Sequence, residues 1–304
     1  MKKELTASLQ EVEKLASASK LGRLVHNPFK YLYAILFRKF IFPKTGKELV
    51  KNVPVFFNKK MLIALPASTD IYLTGGKSHN SEIRLARFLI NSLNDGDTYL
   101  DIGAHYGYFT LLASELVGAT GLVYAFEPSS ATYNIFEKNC LNNTLANICF
   151  AQKAVSDSKG SITFFEFPNL YSEYNSMNVD QFNEEAWFAK YKPQKTTVET
   201  LTIDGIVTEN NFQPSIIKID VEGAEFKVIS GATQYLQTHA PVIVMEYLTS
   251  DRHNSEHQKA ADLLRKYNYK SYLITADGSL QALEDIDTYL KDKQLESDNI
   301  VFKK

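Results

Sequence analysis

The sequence predicts an α/β fold in which a mostly parallel sheet carries helices on both faces. Short apolar runs of strand length alternate with segments whose apolar residues recur at helical spacing. A glycine turn in residues 99–107 (YLDIGAHYG) follows one such run and precedes a helical pattern, YFTLLASELV. The next strand-like run, LVYAFEP, ends on an acidic residue, Glu127. This order is typical of a sheet whose strand ends and helix starts meet at one edge.

The first eighty residues are predicted to form a mainly helical, basic appendage with short strands, and residues 81–304 to form the main domain. Helical patterns cover residues 5–20 and 28–40, and two strand candidates follow, VPVFFN and MLIALP. A glycine-containing loop then leads to a helix predicted over residues 81–93. The turn NDGD delivers the chain into the first strand of the main domain.

Five apolar runs of the main domain have strand length, and three segments between them have helical periodicity. The runs are TYLDIGA, LVYAFEP, NICFAQKAVS, SIIKIDVEG and PVIVMEY, and the segments are YFTLLASELV, SATYNIFEKNCLNN and EFKVISGATQYLQ. The alternation breaks at residues 160–167 (GSITFFEF), which predict an extra strand before a long insertion near residues 168–197, and loops of this length are usually functional or mobile. At the end of the chain, KSYLITADGSL and NIVFKK predict a closing antiparallel hairpin.

The glycine turn and Glu127 together indicate an adenosine cofactor, because an acid after the second strand accepts hydrogen bonds from ribose hydroxyls in nucleotide-binding α/β units. A dinucleotide site needs G-x-G-x-x-G, but His105 and Tyr108 stand where two of the glycines belong. A D-x-G-x-x-x-G turn leaves room for a zwitterionic tail, with Asp101 facing an ammonium group and turn amides facing a carboxylate. The pattern therefore favours S-adenosylmethionine over a nicotinamide cofactor and over an oxidoreductase.

Composition predicts a cytoplasmic protein with an uneven charge. Residues 1–60 hold thirteen Lys and Arg against four Asp and Glu, a balance of +9, so the rest of the chain carries −11. No apolar run approaches the roughly 20 residues that span a bilayer. The charged N-terminus is unlike a secretory signal, and two cysteines fit a reducing compartment. We find no nucleic-acid motif.

Residues 27–44 (NPFKYLYAILFRKFIFPK) mix aromatic, aliphatic and basic side chains. The favoured interpretation is a helix that packs on the domain, or on a second subunit of a homo-oligomer, with its basic face in solvent. The alternative is an interfacial helix that docks on anionic lipid headgroups and makes the protein membrane-peripheral.

Acidic residues end four of the predicted strands, at the edge of the sheet where α/β proteins bind ligands. Asp101 and Glu127 suit the cofactor. The remaining acids, Asp220, Glu222 and Glu246, are then left for the substrate side.

Methyl transfer to a hydroxyl is an in-line displacement, so the protein has to position the acceptor and help to remove its proton. Asp220, Glu246 or His105 could serve as the base. Alternatively, Asp220 and Glu246 could hold a cation such as Mg²⁺ that acidifies the hydroxyl, although no ligand spacing supports a metal. His105 is a lone histidine in a turn, where it could equally make only a structural hydrogen bond.

Five blocks of sequence between roughly residues 82 and 247 carry a family resemblance. They are YLDIGAHYGYFTLLAS, GLVYAFEPSSATYNIFEKN, AVSDSKGSITFF, TLTID and IIKIDVEGAEFKVISGA, followed by PVIVMEY. Together they resemble the FkbM family of S-adenosylmethionine-dependent methyltransferases, and KIDVEGAE is a more specific signal than the glycine turn. The resemblance implies a class I methyltransferase (Rossmann-like) fold, a seven-stranded sheet with an antiparallel last strand, and methyl transfer to oxygen.

The resemblance also implies roles by position. Asp101, Gly103, Ala104 and Gly107 would hold the methionine part, Glu127 the ribose, Lys153 with Ala154 the adenine edge, and Asp220 with Glu222 would lie beside the reacting methyl. The family usually has Gly-Ala-Asn at the turn, whereas His105 follows Ala104 here. His105 is therefore open as either base or substrate contact.

Acceptor identity is predicted to reside in the first eighty residues and in the insertion. Tyr171, Tyr174 and Trp187 of the insertion could stack on a sugar or another ring, or could form a small core under a long loop. Members of the family often act on glycans and natural-product hydroxyls, so a sugar hydroxyl is the favoured acceptor by analogy. The alternative is a membrane-peripheral or scaffolding protein that keeps the fold without turnover.

Overall fold

The architecture comes from a computed structural model, which describes residues 1–168, 170, 172, 175–177, 188, 191–252 and 254–304. Within these residues a central eight-stranded sheet has helices on both faces, as the alternation of apolar runs and helical patterns predicts. A two-stranded and a three-stranded sheet accompany it.

Thirteen strands occur among the described residues, and most of them follow the apolar runs. They are β1 (Leu49–Pro54), β2 (Lys60–Leu65), β3 (Thr98–Ile102), β4 (Leu122–Phe126), β5 (Ile148–Ala151), β6 (Ala154–Val155), β7 (Gly160–Glu166), β8 (Gln194–Leu201), β9 (Ile216–Ile219), β10 (Val242–Leu248), β11 (Lys270–Ile274), β12 (Leu280–Ala282) and β13 (Ser297–Lys303). The run NICFAQKAVS contains two strands, β5 and β6, which belong to different sheets.

Thirteen α-helices lie wholly within the described part of the chain. They are α1 (Lys2–Ser17), α2 (Lys20–His26), α3 (Pro28–Leu36), α4 (Phe42–Thr45), α5 (Thr69–Thr74), α6 (Asn80–Ser92), α7 (Tyr108–Val117), α8 (Ser130–Asn142), α9 (Ile203–Glu209), α10 (Glu225–Ser230), α11 (Thr233–Thr238), α12 (Ser255–Lys266) and α13 (Ile286–Lys293). A π-helical turn, Phe37–Ile41, joins α3 to α4. None of these helices is long and apolar enough to cross a bilayer.

The central sheet has the strand order β5-β4-β3-β9-β10-β13-β11-β12. Strands β5, β4, β3, β9 and β10 are parallel, and β13 runs antiparallel to both β10 and β11. The first seven strands in this order form the predicted sheet with an antiparallel last strand, and β12 adds an eighth at the edge. From β3 the chain extends the sheet first toward β5 and later toward β10, so the ligand crevice of an α/β sheet is expected between the ends of β3 and β9.

The C-terminal region differs from the predicted hairpin. Strands β11 and β13 are antiparallel neighbours, but α13 lies between them in the chain. The run KSYLITADGSL turns on itself because Gly278 has a positive φ of 80° and the Asp277 carboxylate accepts from the Ser279 amide, which gives the hairpin β11–β12. Asp285 then caps α13 by accepting from the amide of Thr288.

The N-terminal segment shares its hydrophobic core with the main domain. Leu5, Leu9 and Val12 lie at helical spacing on one face of α1 and are buried in the same cluster as Leu85 and Leu89 of α6. Fully burying one such side chain contributes roughly 1.5–3 kcal/mol. The division into an appendage and a domain at residue 80 stays a prediction.

Candidate active site

The turn after β3 is shaped by a close approach of two backbones. Gly103 has a φ of 81°, and a Cβ built on it would overlap the carbonyl oxygen of Asp220 and lie 2.9 Å from the carbonyl carbon. The amides of Gly103 and Ala104 both donate to the carbonyl oxygen of Phe126, at 3.0 Å each. The ends of β3, β4 and β9 are thereby locked together at the crevice.

Gly107 fixes the start of the following helix. Its φ is 86°, and a Cβ at this position would lie 2.5 Å from the ring of Phe136. The helix α7 begins at the next residue, Tyr108. A glycine is therefore required both by the backbone conformation and by the neighbouring aromatic ring.

A cleft of about 1420 Å³ opens at the carboxyl ends of the parallel strands. It brings together most of the residues that the sequence singles out: Gly103, Ala104, His105, Glu127, Lys153, Ala154, Asp220, Glu222 and Glu246. Asp101 and Gly107 are not among the lining residues. Tyr171, Tyr174 and Trp187 lie outside the described residues.

Glu127 lies directly after β4 with its carboxylate held by two backbone amides. One oxygen accepts from the amide of His105 at 2.9 Å and the other from the amide of Ser129 at 3.0 Å. Burial raises the pKa of Glu127 to about 7. Each oxygen keeps a second lone pair, which could accept from a hydroxyl of a bound ribose.

Lys218 is a buried cation that our sequence reasoning missed. It lies opposite Asp101 in the register of β9 and β3, and its ammonium nitrogen is 3.4 Å from Asp101 Oδ1 and 3.2 Å from Asp220 Oδ2. It also donates to the carbonyl oxygen of Gly103 at 3.2 Å. The available signal was a lysine inside the apolar strand IIKI, since a charge in a buried strand requires partners.

Asp101 is fully buried and bound within the protein. Its Oδ2 accepts from the hydroxyl of Thr110 at 2.6 Å, and Lys218 lies beside Oδ1. Burial raises the pKa of Asp101, and the Lys218 ammonium opposes that effect. The carboxylate therefore contacts Thr110 and Lys218 and is not among the residues that line the cleft, where the turn pattern had placed it facing an ammonium group of the cofactor.

The turn amides are likewise occupied. Those of Gly103 and Ala104 donate to the carbonyl of Phe126, and that of His105 donates to Glu127. Because an amide has one proton to donate, these three do not hold a cofactor carboxylate in the way that the pattern alone suggested.

Asp220, Glu222 and Glu246 converge at one end of the cleft, with carboxylate oxygens within 4.8 Å of one another. Burial raises the pKa of Glu246 to about 8, and the neighbouring charge of Asp220 adds to this. Burial also opposes ionisation of Asp220, but the ammonium groups of Lys218 and Lys77 outweigh it and lower the pKa. The two shifts have opposite signs, so Glu246 binds a proton more readily than Asp220 does.

The same three carboxylates are the residues that could hold a hard cation, which prefers oxygen ligands. Lys218, 3.2 Å from Asp220, already supplies a positive charge at this place. A divalent cation would have to share Asp220 with that ammonium group.

His105 lines the cleft in a left-handed conformation with a φ of 51°. Its Nε2 is 2.9 Å from the hydroxyl of Ser172, and its ring lies 4.0 Å from that of Tyr106. Burial, together with the charges of Lys77 and Lys218, lowers its pKa to about 3. The imidazole is neutral at physiological pH and is a weak base, since a general base works best with a pKa near the operating pH.

A buried pair supports the loop that carries Asp220 and Glu222, and sequence reasoning missed it as well. Glu225, in the KIDVEGAE segment, accepts from the amides of Val221 and Gly223 through Oε1. Its Oε2 lies 3.2 Å from Nε2 of His257 on α12. These contacts hold the loop through Glu225 and His257, which are not among the residues lining the cleft.

Two segments that lie outside the central sheet also line the cleft. Arg38, Phe42 and Lys77 come from the first eighty residues, and Met177 and Tyr191 come from the described part of the insertion. Lys77 is ion-paired with Glu82. No periodic signal in the sequence links these segments to the crevice, because they reach it through tertiary packing.

A family model described as the methyltransferase FkbM domain matches residues 101–271, over half of the chain. The chain belongs to the FkbM methyltransferase family. S-adenosylmethionine is the cofactor of this family, and the class I fold predicted from the resemblance is confirmed. The cleft fits that cofactor, because Glu127 offers a buried carboxylate beside a turn that has no side chain at Gly103.

The FkbM-family chain is similar to several known methyltransferases. The hexuronic acid methyltransferase AglP of Haloferax volcanii is 24% identical over 159 residues, which cover 52% of this chain and 59% of that protein. The methyltransferase sdnD of Sordaria araneosa is 27% identical over 170 residues, which cover 48% of this chain and 64% of that protein. A solved FkbM methyltransferase from Methylobacillus flagellatus is 14% identical with a TM-score of 0.44, covering 78% of this chain and 53% of that one. The chain thus spans less than two thirds of these relatives.

Proposed function

We propose that this FkbM-family protein is an S-adenosylmethionine-dependent O-methyltransferase that acts on a hydroxyl of a small molecule or glycan, with a sugar hydroxyl favoured. The observation that carries the proposal is the convergence of Asp220, Glu222 and Glu246 at the end of the cleft, with carboxylate oxygens within 4.8 Å of one another, where burial and the charge of Asp220 raise the pKa of Glu246. A group of this kind suits removal of a hydroxyl proton. The similarity to a hexuronic acid methyltransferase supports a sugar acceptor.

In this proposal the cofactor lies across the ends of β3 and β4. Glu127 accepts from the ribose hydroxyls, Lys153 and Ala154 line the adenine edge, and Gly103 with Ala104 packs against the methionine part. Asp101 and Gly107 act through the turn, since neither reaches the cleft. S-adenosylmethionine supplies an electrophilic methyl group on a sulfonium centre when it is bound.

The acceptor is proposed to lie over Asp220, Glu222 and Glu246. The ionised form of Glu246 takes the hydroxyl proton, while Asp220, held ionised by Lys218, orients the hydroxyl and raises the basicity of Glu246. Glu222 contacts the acceptor. His105, with its low pKa, is assigned to contact the substrate as a neutral imidazole rather than to act as the base.

We expect the affinity for S-adenosylhomocysteine to depend on the ionisation of Glu127. The ribose hydroxyls donate to an ionised carboxylate, and below its pKa of about 7 that carboxylate must first lose a proton. Each pH unit below this value then costs up to about 1.4 kcal/mol, or roughly tenfold in affinity. Calorimetric titration should therefore give a dissociation constant near tenfold higher at about pH 6 than at about pH 8.

The Glu127→Gln variant is the control for this titration. It should bind more weakly at about pH 8, by roughly 10- to 100-fold, because a hydrogen bond to a charged acceptor is lost, and it should show no pH dependence over this range. A wild-type dissociation constant that stays constant over the same range would reject the ribose assignment.

Glu246→Gln should reduce methyl transfer by roughly 100-fold or more, because the amide cannot accept the hydroxyl proton. Its affinity for S-adenosylhomocysteine should stay close to that of the wild type, since Glu246 lies on the acceptor side. The wild-type rate should rise with pH through about 8, following the pKa of Glu246, and the variant should lose this rise. Single-turnover transfer of labelled methyl at several pH values measures both effects.

Two controls separate a base from other roles of Glu246. Glu209→Gln changes an exposed carboxylate that pairs with Lys159, and it should keep full turnover. Chelation by EDTA should leave the wild-type rate unchanged if Glu246 is the base, whereas loss of activity that Mg²⁺ restores would make it a metal ligand.

The acceptor class is tested with labelled S-adenosylmethionine and a panel of hexuronic acids, neutral sugars and phenols. A methyl ether is stable to alkali, while a methyl ester formed on a uronic carboxylate is hydrolysed. Alkali-stable label on a sugar is the expected result. Alkali-labile label would move the acceptor from hydroxyl to carboxyl, and binding of S-adenosylhomocysteine with no transfer to any acceptor would favour a scaffold that has lost turnover.

A further inference from the structure

Residues 20–47, here called the docking segment, concentrate the exposed apolar surface of the protein. Among the described residues eleven large apolar side chains are exposed, and eight of them belong to this segment. They are Leu21, Val25, Phe29, Leu32, Tyr33, Leu36, Phe40 and Ile41. Scattered apolar residues on a surface are normal, but a concentration of this kind marks an interaction site.

The exposed large apolar side chains of α3 form one stripe. Phe29, Leu32, Tyr33 and Leu36 lie at positions i, i+3, i+4 and i+7, which share one face of a helix. Phe29 is 86% exposed, the largest value among the exposed apolar side chains. Ala34, on the other side of the helix, is buried in the core of the domain. The helix is therefore anchored by one face and presents a second apolar face to solvent.

The docking segment is also uniformly basic. Residues 20–47 contain seven Lys and Arg and neither Asp nor Glu, while the chain beyond residue 60 carries a net charge of −11. Lys20, Lys39 and Lys44 are exposed. The partner of this surface must therefore accept apolar side chains and carry negative charge.

We propose that the docking segment binds the surface of an anionic lipid bilayer. The apolar stripe would enter the boundary between headgroups and acyl chains, and the lysines would contact anionic headgroups, each contributing roughly fivefold to the partition coefficient. A second copy of the chain is a poorer occupant, because a two-fold interface through this segment would place seven positive charges against seven.

Binding of the docking segment to a bilayer would also place the cleft next to the membrane surface. Arg38, Phe42, Pro43 and Gly46 belong to the docking segment and line the cleft wall. A bilayer bound to the segment would therefore lie beside that wall. The membrane contact does not depend on the methyl transfer proposed above.

The test is co-sedimentation of the full chain with vesicles of phosphatidylcholine, with and without phosphatidylglycerol. We expect at least tenfold stronger binding to the anionic vesicles, and weaker binding at high salt. A triple variant, Phe29→Ser with Leu32→Ser and Leu36→Ser, and a second one, Lys20→Glu with Lys39→Glu and Lys44→Glu, should each lose at least tenfold in affinity. The matched control, Val50→Ser with Leu141→Ser, removes exposed apolar side chains elsewhere and should bind as the wild type does.

Titration with S-adenosylhomocysteine shows whether each variant is folded. Vesicle binding is measured without an acceptor, so its outcome is independent of the proposed methyl transfer. Equal binding to neutral and anionic vesicles, no binding to either, or an equal loss in the control variant would overturn the proposal. Sedimentation velocity in the absence of lipid provides a further check. A dimer that the Phe29, Leu32 and Leu36 substitutions convert to a monomer would assign the surface to a second copy instead.

Discussion

Gly103→Ala is expected to destabilise the protein by more than about 4 kcal/mol and to abolish binding of S-adenosylhomocysteine. The new Cβ would overlap the carbonyl oxygen of Asp220, and the left-handed backbone at φ 81° adds further strain. Relief requires the ends of β3 and β9 to separate, which breaks the hydrogen bond from the amide of Asp220 to the carbonyl oxygen of Ile102. Denaturant unfolding and calorimetric titration measure the two effects.

Gly46→Ala isolates the conformational part of this penalty. Gly46 has a φ of 60°, but no atom lies within 4 Å of a Cβ built there. The cost to the free energy of unfolding should therefore be only roughly 1–2 kcal/mol. Similar losses of stability in both variants would contradict the close approach of the Asp220 carbonyl to Gly103.

Lys218→Met is expected to lower the free energy of unfolding by roughly 3–5 kcal/mol, because it removes the cation between two buried carboxylates. Lys218 faces Asp101 at 3.4 Å and Asp220 at 3.2 Å. The pKa of Lys218 is raised despite its burial, because both carboxylates favour the charged form. Without that charge the pKa values of both carboxylates rise, and the Asp220–Glu246 pair loses its preference for ionised Asp220.

The sign of the pH dependence follows from these shifts. The lowered pKa of Asp220 stabilises the folded state above the ordinary carboxylate pKa of about 4, and the raised pKa of Lys218 does so below the ordinary lysine pKa of about 10. The wild type should therefore exceed the variant in stability most strongly between these values, and the difference should shrink toward pH 4 and below.

Two further variants test the cause. Adding Asp101→Asn to Lys218→Met should restore part of the lost stability, because one uncompensated charge disappears. Lys259→Met removes an exposed lysine paired with Glu256 and should cost about 1 kcal/mol or less. A Lys218→Met variant no less stable than Lys259→Met at neutral pH would contradict the buried ion pair.

The alternation of apolar runs was sufficient for the α/β class, because periodicity is a property of neighbouring residues. It failed at the C-terminal region, where Gly278 and the Asp285 cap convert a presumed hairpin into a hairpin followed by a helix. Both signals were present in the sequence. They are local turn and helix-cap signals, which a prediction based on apolar periodicity alone does not detect.

The sequence predicted the residues of the site less completely than it predicted the fold. Glu127, Asp220 and Glu246 line the cleft, because a residue that follows a parallel strand lies at a known edge of the sheet. Asp101 was assigned to the cofactor by the same rule, but it is covered by Lys218 and Thr110. Whether a strand-end residue faces the ligand or the core depends on the register of the neighbouring strand. The apolar periodicity of one segment carries no information about that register.

The sequence by itself determined the α/β class, the glycine turn, the acid after the second strand and the family, since each of these is a short pattern with its own physical requirement. Only the tertiary structure decided the charge states and the walls of the site. Lys218 reaches the carbonyl of Gly103 across 115 residues of chain, and burial then moves the pKa of Glu127 to about 7 and that of Glu246 to about 8. Such effects require distant residues to exclude water from one place, so they arise only when the chain is folded.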